Sequence, residues 1–83
     1  MRVTFSGRGK RDLMNLPGEG KKRIIKALER FETGGVLDLQ RLKTKKNVWR
    51  IRVGVWRIIL NVNWSEGQAK VLHILDRKDA YRG

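Results

Sequence analysis

Arg50, Arg52 and Arg57 lie in the run Val-Trp-Arg-Ile-Arg-Val-Gly-Val-Trp-Arg over residues 48–57, where apolar and charged side chains alternate with a period of two. Trp49, Ile51 and Val53 share one parity and Arg50 and Arg52 the other; after Gly54 the alternation resumes with Trp56, Ile58, Leu60 and Val62 against Arg57. Alternation of this kind, interrupted by glycine, predicts a β-hairpin. With Gly54 and Val55 as the turn, and Gly54 supplying the positive φ of a type II′ turn, Val53 faces Trp56 and Arg52 faces Arg57. All three guanidinium groups then share one sheet face. Like charges opposed across a ladder are destabilising, so their placement implies a polyanion to bind. Phosphate is the foremost candidate, because guanidinium groups grip its oxygens in bidentate fashion and keep their proton while doing so. Arg77 and Tyr81, in the C-terminal segment, are expected on the same face.

The scaffold for this site must be built from little material. At 83 residues the chain is one domain, residues 1–83, with room for a single modest core. Twenty Lys and Arg against eight Asp and Glu give a net charge of +12. That balance favours nucleic acid or an acidic protein partner, through long-range attraction and counterion release. The absence of cysteine excludes a disulfide framework and a cysteine-ligated metal, and fits an intracellular, cytoplasmic location. No apolar stretch approaches the roughly 20 residues of a membrane span, so no membrane partner is expected. His73, the one histidine, sits within an apolar run and is expected as a core or edge residue with no neighbouring ligands. Neither a metal nor a cofactor is expected.

The elements follow from periodicity. Val3 and Phe5 alternate within residues 2–6, a short first strand. Leu13 and Leu16 at helical spacing predict a short helix over residues 7–16. Beyond Pro17, the stripe of Ile24, Ile25, Leu28 and Phe31 predicts an amphipathic helix that Gly34 and Gly35 end. The conformation of residues 36–46 stays open; they finish in a cationic loop with Lys43, Lys45 and Lys46. After the hairpin, residues 63–67 read as a turn and residues 69–75, almost continuously apolar, as a central strand covered on both faces. The order β-α-α-β-β-β implies an α+β fold, a mostly antiparallel four-stranded sheet with an N-terminal helical hairpin packed on one face. The helices belong on the face of Trp49, Ile51, Trp56 and Ile58, which leaves the arginine face as an open cationic surface.

Leu42-Lys43, Val48-Trp-Arg-Ile-Arg-Val-Gly54, Trp56-Arg57-Ile-Ile59 and Val71-Leu-His-Ile-Leu-Asp-Arg-Lys-Asp-Ala-Tyr-Arg82, together with the Leu16-Pro17 junction, resemble the RelE/ParE toxin superfamily of toxin–antitoxin systems. The chain departs from the superfamily's common pattern at Val55, Leu60 and Asp76. The resemblance implies a RelE-like fold and a ribosome-dependent endoribonuclease, an mRNA interferase that cleaves mRNA in the ribosomal A site and is neutralised by a cognate antitoxin. It assigns the activity to Arg50, Arg52, Arg57, Arg77 and Tyr81, with Tyr81 as the base and Arg77 at the leaving group. Arg8, Lys10 and Arg11, Lys21 and Lys22, and Lys43, Lys45 and Lys46 are then expected to hold rRNA phosphates in a salt-sensitive manner. Within the same superfamily stand two other functions: a ParE-like toxin that inhibits DNA gyrase by binding protein, and a catalytically silent RNA-binding relative.

Overall fold

The computed structural model describes residues 1–76, so Arg77 and Tyr81 lie outside the described residues. The elements are β1 (Arg2–Phe5), α1 (Gly7–Met14), α2 (Gly18–Glu32), β2 (Asp38–Arg41), β3 (Val48–Val53), β4 (Trp56–Asn63) and β5 (Gln68–Asp76). Gly54 takes φ 57° between β3 and β4 while Val55 keeps a negative φ, and Val53 pairs with Trp56, Arg52 with Arg57 and Ile51 with Ile58. The hairpin therefore has the register that the alternation implies.

One sheet runs in the order β1-β5-β4-β3-β2. β1 is parallel to β5, and every other neighbouring pair is antiparallel. From α2, Ile24, Ala27, Leu28 and Phe31 pack against Ile51, Ile58, Leu60, Val62, Ala69, Val71 and Ile74 of the sheet. Each large aliphatic side chain fully withdrawn from water there contributes about 1.5–3 kcal/mol. The helices thus cover the apolar face, as expected. Half-exposed Trp64, in the turn after β4, meets Phe31 and Trp49 edge-on at centroid distances of 6.0 and 5.4 Å, which ties that turn to α2. No helix among the described residues is long and apolar enough to cross a membrane.

Among the described residues the sheet has five strands rather than four. The additional one, β2, comes from the segment whose conformation the sequence left open. It is four residues long and holds a single apolar side chain, Leu39, which packs on the core opposite Ile51. One apolar residue carries no period, and β2 is a strand because β3 offers it a ladder.

β5 is also irregular. Leu60 pairs with Val71 but Ile59 pairs with His73, which leaves Leu72 unpaired in a bulge. Unbroken alternation from buried Val71 would turn His73 into the core; the bulge instead buries Ile74 and sends His73 to the opposite face. Re-aiming a side chain is what a bulge does, at the expense of local ladder bonds. α1 replaces those bonds. Ser6 caps α1 by accepting from the Gly9 amide (2.9 Å), and its hydroxyl donates to the Leu72 carbonyl (3.2 Å). The Asp12 carboxylate accepts from the Ile74 amide (3.0 Å).

Gly9 lets α1 approach this closely, since a Cβ there would collide with the Val71 carbonyl oxygen. Gly9→Ala is expected to destabilise the protein by about 1–3 kcal/mol through overpacking, although alanine is the better helix former. Gly7→Ala, whose added methyl group meets nothing, is expected to stabilise it by up to about 1 kcal/mol. Urea unfolding midpoints of the two variants check this opposition of sign.

Candidate functional site

Strand pairing arranges the face away from the helices as two rungs. Asp38, Arg52, Arg57 and Leu75 lie side by side across β2, β3, β4 and β5; Gln40, Arg50, Ile59 and His73 form the next rung. Arg50, Arg52 and Arg57 therefore share a face, but it is not the open cationic surface that parity alone implies. The Arg52 Nε donates to Asp38 Oδ2 at 2.8 Å. Arg50 is only 9% exposed, its Nη2 donating to Gln40 Oε1 and lying 3.6 Å from Asp38 Oδ1. A guanidinium group withdrawn from water requires such partners, and β2, unread in the sequence, brings them. Arg50 Nη1 is buried without a hydrogen-bond partner among the described residues.

The Arg52 hydrogen bond is the chief cause holding the Asp38 carboxyl below its ordinary value of 3.8. Partial desolvation opposes it, and the charges of Arg52 and Arg50 reinforce it. Asp38 thus remains an anion through the neutral range, pinning two of the three arginines.

Beside this pinned pair lies a groove of about 760 Å³, with Arg50, Arg57, Lys45 and His73 on its walls and Val48, Ile59, Leu72 and Leu75 beneath. Its size falls within the roughly 300–1,000 Å³ typical of ligand sites. Apolar surface edged by cations suits a ligand with flat apolar rings joined by phosphates. Arg52 borders a different, smaller cleft of about 360 Å³ with Asp38, Arg23 and Lys26. Lys43 and Lys46 are exposed in the loop that supplies Lys45. Arg8, Lys10 and Arg11 are exposed on α1; on α2, Lys22 is exposed and Lys21 half-buried. These helical cations belong to the layer behind the sheet, so the structure does not gather them at the groove.

His73 is the groove residue that sequence reasoning placed elsewhere. The run Val71-Leu72-His73-Ile74 is too uniformly apolar to reveal where alternation breaks. The one signal pointing to an irregularity, Asp12 poised to satisfy a freed amide, comes from a distant part of the chain.

A two-layer α+β domain with helices on one face and a cation-walled groove on the other defines the class to which this small basic protein belongs. No protein-family model matches the chain. Among curated proteins it is 33% identical to the toxin RelE3 of Methanocaldococcus jannaschii over an alignment of 87 positions, covering 98% of this chain and 96% of that one. Among solved structures it is similar to a chain of the RelB–RelE antitoxin–toxin complex from Methanococcus jannaschii, 31% identical with a TM-score of 0.79 over 96% of both chains. The isolated E. coli RelE toxin shares the fold at 12% identity, with a TM-score of 0.76 over 98% of this chain and 95% of that one. The chain belongs to the RelE toxin family.

Because the Asp38 carboxyl is depressed in the fold, its stabilising contribution is fully present above its ordinary value of 3.8 and is lost as pH falls through the lower, folded value. The melting-temperature difference between the wild type and Asp38→Asn is expected to stay constant from neutral pH down to about 4 and to shrink below it. Thermal melts of both proteins across acid pH test this.

Proposed function

We propose that the chain is an antitoxin-controlled, ribosome-dependent endoribonuclease that cuts mRNA in the ribosomal A site. The observation that carries this reading is the placement of Arg50, Arg57 and Lys45 around one groove on the sheet face the helices leave uncovered. In the reaction, a ribose 2′-oxygen attacks the adjacent phosphorus. The O2′–P bond forms as the P–O5′ bond breaks, leaving a 2′,3′-cyclic phosphate on one fragment and a 5′-hydroxyl on the other. Negative charge gathers on the phosphate oxygens in the transition state, and guanidinium groups held in advance by their neighbours stabilise it without reorganisation. Asp38 and Gln40 hold Arg50 in this way.

Guanidinium groups do not surrender their proton, so Arg50 and Arg57 bind and stabilise while the base lies elsewhere. By the RelE resemblance the base is Tyr81, and Arg77 supports the leaving group. An mRNA positioned by the ribosome supplies the alignment that a small shallow site lacks on its own. Exposed cations of the helices and of the 43–46 loop meet rRNA phosphates. A cognate antitoxin of complementary acidic character would neutralise a chain of net charge +12; the similar toxin of Methanococcus jannaschii was solved with its antitoxin RelB.

Arg57→Ala is expected to slow mRNA cleavage by about 10²-fold or more and to relieve growth arrest, with fold and antitoxin binding unchanged. Tyr81→Phe is expected to relieve arrest as well. Mapping mRNA 5′-ends in a translation extract, with and without ribosomes, reads the activity directly. Undiminished arrest in both variants, with no new 5′-ends, replaces this reading with inhibition of DNA gyrase.

A further inference from the structure

We infer that His73 is a catalytic residue of the groove, the general acid that gives a proton to the departing 5′-oxygen. This assignment rests on the endoribonuclease reading above. Four features of the structure carry it. The bulge at Leu72 turns His73 out of the core and onto the groove wall, where regular alternation would have hidden it. The irregularity is held by Ser6, the N-cap of α1, and by Asp12 of α1, whose bonds to the Leu72 carbonyl and the Ile74 amide fix the backbone on either side of His73. The ring's Nδ1 is sealed from solvent without a hydrogen-bond partner among the described residues. Nε2 is therefore the nitrogen that meets whatever occupies the groove.

The fourth feature is spacing. Arg50, Ile59 and His73 lie on one rung, so the backbones of Arg50 and His73 stand about 10 Å apart, two strand spacings. Arg57 pairs with Leu75, two residues along from His73, which makes it the diagonal neighbour of His73 at roughly 7–8 Å. An imidazole and a guanidinium group so placed reach different oxygens of one phosphodiester. The charged groups facing His73 from neighbouring elements are Arg50, Arg57 and Lys45 across the groove, with the Asp12 carboxylate behind the bulge.

Chemistry then divides the roles. Arg50 and Arg57 keep their protons, and imidazole is the side chain that both gives and takes one near neutral pH. As the O2′–P bond forms and the P–O5′ bond breaks, the 2′-hydroxyl proton passes to the base. The proton on His73 Nε2 passes to O5′, completing the 5′-hydroxyl. Exchange with water then restores both groups.

The experiment is single-turnover cleavage on purified ribosomes carrying a short labelled mRNA, with the full chain as wild type and as His73→Gln. Two versions of the mRNA are compared: the ordinary one, and one with sulfur in place of the 5′-bridging oxygen at the cut, whose thiolate departs without needing a proton. On ordinary mRNA, His73→Gln is expected to be slower by about 10²–10⁴-fold, the usual contribution of general acid catalysis. On the sulfur-bridged mRNA it is expected to match the wild type within a few-fold. Wild-type cleavage with His73→Gln equally fast on both, or equally slow on both, overturns the assignment and leaves the nuclease reading standing. No cleavage by the wild type overturns both. Recovery of the full rate on the sulfur-bridged mRNA is itself the folding control, and an unchanged melting temperature of His73→Gln provides a second one.

Discussion

Gly54, at φ 57°, closes a two-residue turn, and that turn sets which side of the sheet every side chain of β3 and β4 emerges on. Because the side-chain period is two, a slip of one residue would exchange the faces. Trp49, Ile51 and Ile58 would then meet water, and Arg50, Arg52 and Arg57 would be pressed against Ile24 and Leu28 of α2. Burying even one guanidinium group unpaired costs several kcal/mol, so the native register has no close competitor. The same constraint that builds the core therefore lines up the cations, and scaffold and site are two sides of one ladder.

That ladder also places Arg52 directly opposite Arg57, an arrangement that opposes pairing. The edge strand relieves it. Asp38 sits opposite Arg52 on the other side and reaches Arg50 as well, while Gln40 Oε1 accepts a hydrogen bond from the Arg50 guanidinium. What results is a graded set of arginines: Arg52 engaged at the rim, Arg50 fixed in the wall with one nitrogen unused among the described residues, and Arg57 beside it in the groove. A fixed cation serves a transition state better than a mobile one, because its orientation is settled before charge develops.

The regular part of this architecture was legible in the residues. Alternation about Gly54 gave the hairpin and its register, the Ile24-Leu28-Phe31 stripe gave α2, and parity assigned the helices to the tryptophan face. β2 was not legible, since Asp-Leu-Gln-Arg has too few apolar residues to show a period, and with it Asp38 and Gln40 were missed as partners of the arginines. The direction of His73 escaped for a related reason. Period two decides a face only while the strand is unbroken, and the break at Leu72 is dictated by Ser6, Gly9 and Asp12, which contact β5 only in the folded chain.

The parallel pairing of β1 with β5 governs the order in which the molecule can be assembled. Ser6 and Leu72 are bonded across 66 positions of sequence, so β1 and α1 have no partner strand to join until β5 has been synthesised. Contacts of such long range are slow to form. On a growing chain the β3–β4 hairpin can close early, but the wall that carries Leu72, His73 and Leu75 does not exist while β5 is still within the exit tunnel. The groove is thus completed only once β5 has emerged and paired, and until then the unpaired side of β4 is open to any partner with a strand to offer.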